Sequence, residues 1–133
     1  YERTGLCTVI YFFPKAFTPG CTKEAKMFAS NYPELQMARA EVVGISSDAL
    51  DKQCAFAKST GATFPMIGDS TGAICKSYGV LFPLVKIARR VTFVVDNADH
   101  KIVGRTEHLL DIGRHRDHVL GIVDELARAR RLE

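Results

Sequence analysis

The residues with the clearest chemical potential lie in the segment 11–24, which reads YFFPKAFTPGCTKE. The aromatic run at its start predicts a strand, and Pro19 is placed to be the first residue of a helix with Thr18 as the N-cap. Cys21 then stands in the first turn, where backbone N–H groups lack intrahelical partners and the helix dipole is positive. Both effects favour a thiolate, so the local sequence predicts a reactive cysteine rather than a structural one.

Strands and helices are predicted to alternate along the chain, and together they position this thiol. The predicted strands span 7–13, 41–46, 64–67, 91–96 and 101–105, and the predicted helices span 18–32, 48–59, 71–78 and 112–130. Pro33 is expected to end or kink the first helix, and Leu50, Cys54 and Ala57 share one face of the second. The order βαβαβαββα, with a hairpin at the last two strands, predicts an α/β domain of three layers with a central mixed sheet flanked by helices, as in the thioredoxin-like fold.

Composition narrows the possible classes of protein. With 47% hydrophobic residues over 133 positions, a single domain with a proper core is expected, and no apolar run is long enough to cross a membrane. The net charge of +3 is mild, and the sequence has no basic stripe with interleaved aromatic residues, which argues against nucleic-acid binding.

Four scattered cysteines without a CxxC pair indicate neither a zinc site nor a dithiol motif, and they favour a reducing, cytoplasmic setting. Because the chain begins without Met and a strand starts almost at once, a native N-terminal segment is expected to be missing from it, and any targeting signal would be missing with that segment.

The order Pro14-xxx-Thr18-xx-Cys21 resembles the active-site signature of the peroxiredoxins. The longer match YFFPKAFTPGCTKEA resembles their bacterioferritin-comigratory-protein (PrxQ) branch, which is AhpC/TSA-like. Looser similarity covers nearly the whole chain through EVVGIS, FPMIGD, SYGV and RRVTFVVD. The resemblance implies one peroxiredoxin domain over 1–133 that lacks the N-terminal hairpin with which family members usually begin.

This resemblance implies a thiol-dependent peroxidase that reduces hydrogen peroxide and alkyl hydroperoxides. Cys21 would be the nucleophile that becomes a sulfenic acid, and Thr18 would hold the peroxide near the sulfur. The backbone N–H groups of Gly20 and Cys21 would stabilise the peroxide oxygens, and Pro14 would shield the site from water. Taken alone, Thr18 is equally a helix cap and Pro14 a strand terminator, so the functional interpretation depends on their spacing to Cys21.

Arg90 matches the arginine that precedes a late core strand of the family. Its guanidinium would favour the thiolate of Cys21 and donate to the peroxide. Alternation along the strand sends only one of Arg89 and Arg90 inward, and the resemblance favours Arg90. Glu24 would orient Arg90, although by itself it is an ordinary acidic residue in a first helical turn.

The thiol that resolves oxidised Cys21 is left open by the sequence. Many PrxQ relatives carry the resolving cysteine five positions after the nucleophile, where this chain has Lys26. Cys54 on the second helix is the first candidate and Cys75 the second, with no intramolecular partner as the third possibility. Cys7 opens a core strand and is expected to be structural.

The resemblance further implies no metal or organic cofactor and recycling by thioredoxin or a similar dithiol reductant. We expect a monomer, or at most a weak dimer, that binds neither nucleic acid nor membrane. His115 and His118 are spaced to share a metal-ligand face, but solvent exposure on the last helix is the expected state of both. Two alternatives are a redox sensor or binding module that signals through Cys21 oxidation, and a catalytically silent scaffold.

Overall fold

A central strand built from the apolar run after Leu6 organises the protein. The structure, a computed structural model, describes residues 5–81, 88–107 and 112–131. Five strands form one sheet in the order β3-β2-β1-β4-β5: β1 (Cys7–Phe12), β2 (Ala40–Ser46), β3 (Met66–Gly68), β4 (Val91–Asp96) and β5 (Lys101–Glu107). β1, β2 and β3 run parallel, whereas β4 is antiparallel to both β1 and β5. The predicted mixed sheet with its terminal hairpin is therefore confirmed.

Helices cover both faces of the sheet. They are α1 (Pro19–Met37), α2 (Leu50–Thr60), α3 (Ala73–Ser77) and α4 (Ile112–Arg131). Side chains of β1 alternate between two hydrophobic clusters: Val9 and Tyr11 join residues of α1, α2 and α4, while Ile10 and Phe12 join Cys75 of α3. This arrangement confirms the predicted α/β fold with helical layers on either side of a central sheet.

Strand directions bring two distant segments to one edge of the sheet. Because β1 ends where antiparallel β4 begins, Phe12 pairs with Val91. The loop from β1 to α1 and the residue immediately before β4 therefore meet, and Arg90 is placed beside the start of α1.

The predicted end of the first helix near Tyr32 is wrong, and the structure shows which face of the second helix is buried. α1 continues through Pro33 to Met37, and buried Leu35 in its last turn packs into the core and offsets the backbone hydrogen bond that proline removes. The face of α2 that carries Leu50 and Cys54 points to solvent, since the buried side chains are Gln53, Phe56 and Thr60. No helix in the described ranges combines the length and apolar character needed to cross a bilayer.

Candidate active site

The start of α1 presents Cys21 as expected from the sequence. Pro19 is the first helical residue and Thr18 occupies the N-cap position, which makes Cys21 the third residue of the helix. The Cys21 side chain is only 1% exposed. Thr18 differs from the prediction in one respect: its hydroxyl makes no capping bond and instead donates to the carbonyl of Lys15 at 2.7 Å. Its oxygen lone pairs are thus not committed to the helix backbone.

Gly20 contributes a donor and also leaves room for a cation. The first hydrogen bond of the helix runs from the N–H of Thr22 to the carbonyl of Thr18. The N–H groups of Gly20 and Cys21 come before it and therefore have no acceptor within the helix. A Cβ on Gly20 would lie 2.9 Å from Nη2 of Arg90. Glycine therefore allows the guanidinium to approach the positive end of the helix closely.

Arg90 joins the helix start to the sheet. Its Nη2 lies 3.5 Å from the sulfur of Cys21, and its Nη1 donates to Oε1 of Glu24 at 2.6 Å. Burial lowers the pKa of Arg90, but the Glu24 carboxylate and the Cys21 sulfur raise it by more, so the guanidinium stays charged. Arg89 points the other way and forms a surface ion pair with Glu107 at 2.6 Å. The structure therefore directs Arg90, rather than Arg89, towards Cys21.

Glu24 is a carboxyl group without solvent contact, on the same helix as Cys21. Burial raises its pKa to about 7, even though the charge and hydrogen bond of Arg90 lower it. Its pairing with Arg90 matches the orienting contact expected from the sequence. The neutral and ionised forms of Glu24 are thus both accessible near neutral pH.

His115 is the main residue that the sequence prediction misplaced. Expected to be exposed, it is fully buried on α4, with Nε2 2.5 Å from Oγ1 of Thr92 and 3.6 Å from Oε2 of Glu24. It precedes buried Val119 by four residues, and this helical spacing was a signal for an inward position. His118, three residues later, is exposed and bonds Thr106 at 2.7 Å, so the two histidines have different partners.

The loop before Cys21 is held by a residue that the sequence prediction did not identify. Oδ2 of Asp48, just after β2, accepts the N–H of Ala16 at 2.7 Å. Phe17 has a φ of 65°, an uncommon value outside glycine, and its ring packs edge-on against Phe56 with centroids 5.2 Å apart. Pro14 lies half-buried at the start of this loop. These contacts fix the backbone that leads into Thr18.

The other three cysteines occupy different environments, and all four thiols are free. Cys54 lies on the exposed face of α2. Cys75 is fully buried, and burial followed by the contacts of Asp69 raises its pKa to about 12. Cys7 is buried in the core as expected, with a pKa raised by burial to about 11. Neither candidate resolving thiol is bonded to Cys21 in this structure.

Comparison with known proteins identifies the family. The model of the AhpC/TSA family matches residues 1–104. Peroxiredoxin Bcp of Escherichia coli K12 is 34% identical over 132 residues, covering 92% of this chain and 81% of the relative. The crystal structure of peroxidoxin BcpB from Mycobacterium tuberculosis superposes with a TM-score of 0.86 at 32% identity, covering 92% of this chain and 81% of that one.

A further solved structure is that of the bacterioferritin comigratory protein of Xanthomonas campestris, which was determined in relation to the alkyl peroxide reduction activity of that protein. It has a TM-score of 0.84 at 28% identity and covers 94% of this chain and 82% of its own length. Sequence and structure thus agree on the same group of relatives. The chain belongs to the AhpC/TSA family of peroxiredoxins, in the PrxQ branch.

Proposed function

We propose that this peroxiredoxin, a thiol-dependent peroxidase, reduces hydrogen peroxide and alkyl hydroperoxides through Cys21. The thiolate donates an electron pair to the terminal peroxide oxygen, an S–O bond forms and the O–O bond breaks. The leaving oxygen takes up a proton, so thiolate, hydroperoxide and one proton give sulfenic acid and water or an alcohol. The contact of 3.5 Å between Arg90 Nη2 and Cys21 Sγ, inside a buried helix start, is the observation that carries the proposal.

The groups around the sulfur suit the charge that develops in this reaction. Because the Thr18 hydroxyl donates to Lys15, its oxygen can accept the O–H of a hydroperoxide. The N–H groups of Gly20 and Cys21 and the guanidinium of Arg90 can donate to the peroxide oxygens. Pro14 would limit the access of water.

Peroxide consumption with dithiothreitol as reductant tests the activity. We expect turnover in the wild type and none in Cys21→Ser, whereas Lys26→Ser, an exposed change on the same helix, should retain it. Equal consumption by the wild type and Cys21→Ser would refute the assignment of Cys21. The Xanthomonas protein supports the inclusion of an alkyl hydroperoxide, such as cumene hydroperoxide, beside hydrogen peroxide.

Cys54 is our proposed resolving thiol, because it is the exposed candidate and can meet a protein reductant. Cys21 is 1% exposed, so the start of α1 must unwind before the two sulfurs can bond. Peptide mapping after one equivalent of peroxide should show a Cys21–Cys54 disulfide. A link from Cys21 to Cys75, or sulfinic acid on Cys21 alone, would overturn the assignment.

The reductant that we propose is thioredoxin or a related dithiol protein, acting in a reducing cytoplasm on a monomeric enzyme. Thioredoxin with its reductase and NADPH should sustain turnover by the wild type. Cys54→Ser should not turn over with thioredoxin, although its Cys21 should still be oxidised rapidly once. If Cys54→Ser turned over with thioredoxin as fast as the wild type, an intramolecular disulfide would not be part of the cycle.

A further inference from the structure

We propose that His115 is a positioning residue for the thiol site and acts through Glu24. His115 and Glu24 together hold one buried proton. This proton keeps the Glu24 carboxyl group in contact with Arg90, and its charge balances that of the Cys21 thiolate. The assignment rests on the proposed function, in which Cys21 is the reacting thiol. It adds a residue of α4 to a site otherwise built from the loop after β1, the start of α1 and the residue before β4.

The geometry forms a continuous path of buried polar groups from the sulfur to α4. Arg90 contacts both Cys21 and Glu24, and Nε2 of His115 lies 3.6 Å from Oε2 of Glu24. Within the part of the chain that the structure describes, Oε2 of Glu24 is buried without a hydrogen-bond partner. Nε2 of His115 is also 2.5 Å from Oγ1 of Thr92, which fixes the ring beside this oxygen. A small adjustment of either side chain would therefore give the carboxyl its missing bond.

The charge balance of the site requires such a proton. A Cys21 thiolate and an ionised Glu24 both contact the same cation, Arg90, and all three residues are at most 5% exposed. The remaining negative charge is costly in a buried region unless it is neutralised. Tyr11 of β1 also faces these groups, but burial, then Glu24 and Cys21, raise its pKa well above the usual value, so it stays neutral and does not change the charge of the site. A proton on the Glu24–His115 pair supplies the neutralisation.

The test compares two histidines on one helix. His115→Asn keeps a polar group that can bond Thr92 but cannot hold a charge. We expect it to lower the rate constant for Cys21 oxidation by hydrogen peroxide about tenfold at neutral pH. The rate–pH profile should also flatten between roughly pH 6 and pH 8. The matched control is His118→Asn, on the exposed side of α4, which should follow the wild type.

A double-mutant cycle separates positioning from a general packing role. If His115 acts through Glu24, His115→Asn should cause no further loss in a Glu24→Gln background. Unchanged rates in His115→Asn, or an equal loss in both backgrounds, would overturn the proposal. Absence of peroxide reactivity in the wild type would instead refute the proposed function.

Nitrogen-15 NMR of the imidazole gives a readout that needs neither activity nor a variant of His115. The titration of the His115 ring in the wild type should move when Glu24 is replaced by Gln, because the shared proton loses one of its two sites. An unchanged titration would contradict the shared proton. This measurement decides the question even if His115→Asn does not fold.

Discussion

Replacing Glu24 by Gln should change how the stability of this peroxiredoxin depends on pH. Burial raises the pKa of Glu24 from 4.5 to about 7 in the folded protein. The folded state therefore binds the proton more tightly than the unfolded chain. The stabilisation from the protonated carboxyl is fully present below about pH 4.5 and is lost as the pH rises to about 7.

The size of this effect follows from the same values. Each pKa unit corresponds to about 1.4 kcal/mol, so the rise at Glu24 amounts to about 3 kcal/mol of folding free energy. Gln resembles the protonated carboxyl but cannot ionise. The attraction between Arg90 and the Glu24 carboxylate needs no separate term, because it already lowers the folded-state pKa of Glu24 to the value used here. The free-energy difference between wild type and variant should thus shift by about 3 kcal/mol between pH 4.5 and pH 7.5, in favour of the variant.

Urea unfolding followed by far-UV circular dichroism measures this difference, since the chain has no tryptophan. Glu34→Gln makes the same chemical change at an exposed position of α1 and is the matched control. Its curve should follow that of the wild type. Curves for wild type and Glu24→Gln that stay parallel with pH, or that diverge in the opposite direction, would refute the raised pKa and the charge balance built on it.

Two further predictions address contacts around the site, and a third compares packing at two glycines. Thr18→Val should slow peroxide reduction roughly 10²-fold because it removes an oxygen that can accept from the peroxide, whereas Thr18→Ser should retain the rate. Arg90→Lys should also reduce the rate roughly 10²-fold, because lysine lacks the two guanidinium nitrogens that contact Cys21 and Glu24. Arg89→Lys should stay near the wild-type rate, and equal effects of the two lysine variants would contradict this prediction. Gly44→Ala should cost about 1–3 kcal/mol in urea unfolding because its Cβ would lie 2.8 Å from a buried aromatic ring. Gly121→Ala, with nothing within 4 Å, should instead stabilise α4 by about 0.5–1 kcal/mol, and equal shifts would disprove the packing argument.

Much of this architecture could be predicted from local patterns. The strand–helix order follows from hydrophobic periodicity, and Pro19 sets the register that makes Cys21 the third helical residue. Alternation along β4 sends Arg90 and Thr92 to one face of the sheet and leaves Arg89 outside. These features depend on neighbours in sequence, so sequence patterns carry them.

The residues that sequence patterns missed depend on packing between distant segments. His115 is inward because α4 lies across β4 and α1, and only its spacing to Val119 hinted at this. Asp48 supports the loop at Ala16 because parallel β1 and β2 end at the same edge of the sheet. A histidine or an aspartate in such positions looks like an ordinary surface residue until the elements are assembled.

The rate of Cys21 oxidation is the most direct test of the proposed chemistry. Competition for hydrogen peroxide against a peroxidase of known rate gives the rate constant of the reduced protein in a single turnover. We expect a value at least about 10³-fold above that of free cysteine, lost in Cys21→Ser. A rate within about tenfold of free cysteine would contradict the activation of Cys21 by the helix start and Arg90.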